Sequence, residues 1–136
     1  MELTLLLIAD YANTTADGKL NVMGIFESIT AASFPATHSE MYLITRFTAG
    51  PAEYGRTFKM DVKLINEDAS QELVNFAIEN MVPRAQNGQD AHLNHLLRLN
   101  NVTFPAPGFY EFSVLVDNDL KGTLAVEVKS LPIPND

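Results

Sequence analysis

Apolar and polar residues alternate with a period of two along most of this chain. In "TFKMDVKLI", Phe58, Met60, Val62 and Leu64 fall on one side and Thr57, Lys59, Asp61 and Lys63 on the other, the pattern of a half-buried strand. "TLAVEVK" repeats it with Leu124, Val126 and Val128, and "ELVNFAIEN" with Val74, Phe76 and Ile78. Between such runs lie turn-forming clusters: "NTTADG" at 13–18, "FPATHSE" at 34–40, "AGPAEYG" at 49–55, "NEDAS" at 66–70, "VPRAQNGQD" at 82–90 and "DNDLKG" at 117–122. They separate eight candidate strands, and short strands at this regular spacing predict an all-β sandwich or barrel. No repeat or linker interrupts the series, so residues 1–130 read as one domain, with "LPIPND" at 131–136 as a C-terminal tail.

Three runs are irregular. In "KLNVMGIFESI" the face set by Leu20 and Val22 passes to Ile25 and Ile29 only if one residue is inserted near Gly24, which predicts a β-bulge there. Leu3–Ile8 is apolar on both faces, so this strand is either covered on both sides or meets another chain. In "DAHLNHLLRLN" Leu93, Leu96 and Leu97 suit a short helix behind an Asp90 cap, whereas Leu93, His95, Leu97 and Leu99 suit a strand.

The segment after that run bears on the choice. Leu97-x-Leu99-x-x-Val102 followed by Gly108-x-Tyr110-x-Phe112 resembles the E–F corner of immunoglobulin-like domains. The resemblance implies a single Ig-like β-sandwich of about seven to eight antiparallel strands. It makes Gly108 and Tyr110 a structural corner, with the tyrosine hydroxyl bonded to backbone just upstream. It also favours strand over helix at 92–100. Phe112 stands where such domains carry their second cysteine, and no tryptophan exists to fill the core. Over nearly the whole chain, "LLIADYANTTADGKLNVMGIFESI", "FPA", "MYLITRF" and "FPAPGFYEFSVLVD" resemble a family of small bacterial domains of unknown function. That family implies a fold and no catalytic residue.

Composition narrows the functions. The chain is 46% hydrophobic and 19% charged, which suits a globular domain. It contains no cysteine, so thiolate nucleophiles and Cys-ligated zinc are excluded and a reducing, cytoplasmic location is the default expectation. Nine basic against seventeen acidic residues give a net charge of −8, which repels phosphate backbones and anionic lipid, so nucleic acid and membrane are not expected partners. The apolar start, "MELTLLLIAD", lacks a basic flank and a cleavage site and reads as a strand.

Candidate chemistry is sparse. His92 and His95 would share a helix face as a metal pair but point to opposite faces of a strand, which makes His95 a hydrogen-bonded residue at the core edge and His92 a surface one. Glu67, Asp68 and Glu72 beside one turn, and Asp117 with Asp119 at another, are explained by turn chemistry better than by calcium or acid–base catalysis. No serine lies in a nucleophile motif and the glycines are isolated, so no catalytic residue, metal site or cofactor is expected. Candidate interaction residues are Tyr11, Asn13 and Asp17, expected with Asp10 in a loop leaving the first strand, and Tyr42, Ile44, Phe109 and Leu115 on outward faces of their strands. The expectation is a non-enzymatic interaction or structural module that forms a homodimer or meets another protein. Two alternatives stay open: a small-ligand or carbohydrate-binding domain using loops at one end of the sandwich, and a metal-dependent hydrolase.

Overall fold

The computed structural model describes residues 1–132. Nine strands follow one another: β1 (Glu2–Thr14), β2 (Leu20–Phe26), β3 (Ser28–Ala31), β4 (Ala36–Ala49), β5 (Thr57–Asn66), β6 (Glu72–Met81), β7 (Ala91–Phe104), β8 (Gly108–Val116) and β9 (Asp119–Ser130). They form two sheets, A with order β2-β1-β4-β7 and B with order β3-β9-β8-β5-β6. All neighbours pair antiparallel except β3, which runs parallel to β9. Among the described residues there is no α-helix, and the ambiguous run at 91–104 is strand. The tail expected at 131–136 lies, from residue 133 on, outside the described residues.

The period-two runs build the core. Phe58, Met60, Val62 and Leu64 of β5, Phe112 and Val114 of β8, and Val126 and Val128 of β9 point from sheet B toward Met41, Leu43 and Phe47 of β4. Phe47 and Phe58 meet across the sandwich with ring centroids 6.3 Å apart. Burying such side chains contributes roughly 1.5–3 kcal/mol each before chain entropy is counted.

The count of strands exceeds the eight expected because "KLNVMGIFESI" is two strands, broken at Glu27, that belong to different sheets. No residue is inserted at Gly24: β1 and β2 keep one continuous register from Ile8 opposite Phe26 to Thr14 opposite Leu20. The backbone turns left-handed at Gly24 instead, with φ 73°. Leu20 and Val22 pack on one cluster and Phe26 on the main core, so the strand changes faces without a bulge. Ile29 is buried as expected, but Ile25 is 60% exposed. Glycine suits this position, since φ is 73° and a Cβ would also crowd the Asp10 side chain, 3.1 Å from its Cβ. The irregularity of pairing lies elsewhere, between Leu3 and Leu5 where β1 meets β4. Asn101, with φ 54°, changes faces in the same way within β7 and accounts for the spacing Leu99-x-x-Val102. The expected loop at 34–40 is also shorter, because β4 begins at Ala36 and pairs there with Phe104.

The chain crosses from sheet A to sheet B through Pro105–Pro107. Tyr110, almost fully buried, donates its hydroxyl to the carbonyl of Ala106 at 2.6 Å and sets its ring edge-on to Phe104. The bond closes on backbone four residues upstream of the tyrosine. Tyr110→Phe keeps the ring and removes the bond, so the unfolding free energy is expected to fall by about 1 kcal/mol at unchanged m-value. A urea midpoint equal to that of the parent would show that the hydroxyl does not hold the crossover.

Candidate interaction face

The outward side of sheet A is apolar. Leu6 and Ile8 of β1 face the core, so the alternate residues Leu5, Leu7 and Ala9 face away from it. Pairing sets them in rows: Ala9, Tyr42 and Arg98; Leu7, Ile44 and Leu96; Leu5, Arg46 and Asn94. Directly opposed residues on neighbouring strands share a face, so these nine form one surface. Ala9, Ala12 and Ile44 are buried within it, packed by Leu5, Leu7, Leu20, Val22, Tyr42 and Leu96, all from sheet A itself. Tyr11 sets its ring edge-on to Tyr42 at 5.4 Å, and Ile25 stands opposite Ala9 at the border.

Two polar side chains interrupt the surface, and neither is fully satisfied. Arg46 and Asn94 are opposed in register, yet Nε of Arg46 and Oδ1 of Asn94 are buried without a hydrogen-bond partner. Among the described residues Arg46 joins no ion pair, whereas Arg98 holds Glu40 at 3.2 Å. A buried polar atom left unpaired costs on the order of 1–3 kcal/mol, so this spot weakens the free protein.

The residues singled out in the sequence separate into four places. Tyr42, Ile44 and Tyr11 belong to the face of sheet A. Tyr11 and Asn13 do not lie in a loop, because β1 continues to Thr14. Asn13 accepts a hydrogen bond from Asn21 across the hairpin. Asp17 sits in the hairpin turn, accepting from the Thr15 hydroxyl and pairing with Lys19, and the Thr15 bond followed by Lys19 holds its carboxyl below the usual carboxylate range. Phe109 and Leu115 do point away from the core on sheet B, with Phe109 51% exposed. Glu111 and Ser113 lie between them, so they make no continuous apolar surface. Gly108 and Tyr110 lie at the start of β8, where the Tyr110 hydroxyl bonds Ala106.

The titratable clusters are occupied by turn structure. Asp68 accepts from the hydroxyl and amide of Ser70, bonds that lower its pKa. Asp117 and Asn118, both at positive φ, make the two-residue β8–β9 hairpin. The Asp117 carboxylate accepts from the Lys59 amide and from Arg56, while Asp119 pairs with Lys121. Among the described residues no group of three His, Asp or Glu side chains is placed to hold a metal ion. An open groove of about 480 Å³ runs between the β5–β6 turn and the corner, lined by Glu67, Asp68, Pro105 and Phe109 among others.

A family model described as "Family of unknown function (DUF6941)" matches residues 4–129. The chain belongs to that family. This bears out the resemblance to a domain of unknown function. No curated protein matches the chain. Among solved structures it is similar to the Pseudomonas fluorescens alkylpurine DNA glycosylase AlkC bound to DNA containing an abasic site analog, at 11% identity and a TM-score of 0.54. That likeness covers 94% of this chain and 30% of the glycosylase, so the chain spans less than a third of that protein. It shows a shared fold.

Several members of the face were not singled out from sequence. Leu96 lay in the run that fitted helix as well as strand, and Arg46 carries no local signal. Leu5 and Leu7 were visible as a strand apolar on both sides, the one clue that a second face exists. The histidines lie as a strand requires. His92 is exposed beside the Thr48 hydroxyl, and His38 is on β4 against Phe26. The half-buried His95 lies between Thr45 and Asn80, whose amide donates to Nε2 at 3.0 Å. Burial lowers its pKa below the ordinary 6.5. Above that value His95 is neutral in both folded and unfolded chains and contributes no pH dependence. As pH falls through it the unfolded chain takes the proton first, so stability is lost until pH drops below the lowered folded pKa. Between pH 7.5 and 5 the urea midpoint of the parent is expected to fall further than that of His95→Gln, and equal falls would contradict this.

Proposed function

We propose that this chain is a non-enzymatic interaction module, an immunoglobulin-like sandwich that docks protein through the outer face of sheet A and forms a homodimer there. The observation that carries the reading is the half-buried apolar surface of Leu5, Leu7, Tyr42 and Leu96 around buried Ile44, which among the described residues is packed by side chains of sheet A alone. An antiparallel sheet with one face in a core ordinarily turns polar residues to water on the other. A continuous apolar sheet face marks a contact surface instead.

The immunoglobulin-like assignment is supported by strand order. With β1, β4 and β7 as strands A, B and E, and β5, β8 and β9 as C, F and G, the order β1-β4-β7 matches A-B-E. The order β5-β8-β9 then matches C-F-G, with β6 in the place of C′. The Tyr110 bond at the crossover from E to F agrees with it. The cysteine-free composition favours the cytoplasm. The DNA of the similar glycosylase gives no reading here, because a net charge of −8 opposes binding to phosphate.

Light scattering on a dilution series tests the proposal. The parent is expected to approach twice the chain mass at high concentration and to dissociate on dilution. Leu96→Glu, placed on the outer face away from the main core, is expected to be monomeric throughout, with a cooperative melt at lower temperature showing that it is still folded. A parent that is monomeric at every concentration would overturn the reading.

A further inference from the structure

We infer that the partner on this face is a second copy docked about a two-fold axis at the middle of β4, so that Glu40 of each copy meets Arg46 of the other. The inference rests on the docking face proposed above and specifies what occupies it. The outward row of β4 reads Glu40, Tyr42, Ile44, Arg46, which is acid, apolar, apolar, base at alternate positions. The row is self-complementary. Turned end for end about a point between Tyr42 and Ile44, it places base on acid at both ends, with half-buried Tyr42 offering apolar surface between them and Ile44 buried within its own sheet.

A two-fold interface requires this property, since each residue must meet its partner twice. Six residues of strand separate the two charges by about 20 Å, so they lie at opposite ends of the apolar rows and frame them. The same axis runs across the strands and keeps β1 over β1. Packing of this kind aligns two sheets face to face, as in the sandwich itself.

The local charges favour a copy over a purely apolar partner. Covering Arg46 without a carboxylate would leave an uncompensated buried charge in addition to its unpaired Nε. A second copy supplies that carboxylate. Glu40 is already held in place by Arg98 at 3.2 Å, so it can bridge Arg98 of its own chain and Arg46 of the other.

Charge exchange on the full-length chain tests this. Glu40→Arg gives a chain with two cations at these positions and Arg46→Glu one with two carboxylates. Sedimentation of either alone is expected to show self-association at least tenfold weaker than the parent, because like charges then meet at both ends. An equimolar mixture is expected to recover parental dimerisation, because every contact is again acid on base. Arg46→Glu leaves the Glu40–Arg98 pair intact, and a thermal melt of each variant checks the fold. As a second measurement, the absence of native cysteine allows Glu40→Cys and Arg46→Cys chains to be mixed with a short bis-maleimide. A cross-linked heterodimer is expected in the mixture and not with either chain alone. Singly exchanged chains that dimerise as the parent does, a mixture that stays monomeric, or absence of the cross-link would each overturn the two-fold arrangement. In those cases a dimeric parent disrupted by Leu96→Glu would still support the face. A monomeric parent would overturn both.

Discussion

The ladder between β4 and β7 is the constraint on which the other arrangements depend. It runs from Ala36 opposite Phe104 to Ala49 opposite Ala91 without a shift of register. Along its main part Met41, Leu43 and Phe47 enter the core, and Thr45, also fully buried, lies beside His95. Moving this pairing by one residue would turn that set outward and Tyr42, Ile44 and Arg46 inward, which the core could not accommodate. The outer surface is therefore fixed by the same register that fills the interior. Its members are held as firmly as core residues although they face away from sheet B.

Two left-handed residues adapt this rigid sheet to a closed sandwich. Gly24 lets β2 keep Leu20 and Val22 beside Ala12 and then bring Phe26 to the core. The chain can then cross at Glu27 and lay β3 along β9 in the other sheet. Asn101 does the corresponding work at the far end of β7, carrying the inward set from Leu99 to Val102 and Phe104. Phe104 then meets Tyr110 with centroids 4.9 Å apart, and the corner closes over that contact. The crossover and the changes of face within sheet A are thus parts of one arrangement.

What could be read from the sequence follows from this geometry. Strands that are buried on one side, such as β5 and β9, announce themselves by alternation. A change of face was visible near Gly24 but was read as an inserted residue, because alternation records which side a residue faces and not whether φ is positive. The loop expected for Tyr11 and Asn13 failed for a related reason: their polar character belongs to a strand hairpin that projects beyond the core. The face itself was half legible. Residues 3–8 showed that β1 has two apolar sides, but the row Leu7, Ile44, Leu96 arises from pairing between distant segments, which no local pattern contains.

The distribution of charge completes the functional argument. The acidic residues that might have formed a site are engaged within their own turns: Asp17 with Thr15 and Lys19, Asp68 with Ser70, and Asp117 with Arg56 and the Lys59 amide. They hold hairpins in shape, and among the described residues no group of three such side chains is placed to hold a metal ion. The net charge of −8 keeps copies apart at long range, while over a few ångströms the surface of sheet A offers apolar contact. On the reading proposed above, copies associate only where that surface is matched closely enough to exclude water and where a carboxylate reaches Arg46. Repulsion elsewhere then favours one mode of association over indiscriminate aggregation, which an apolar sheet face would otherwise invite.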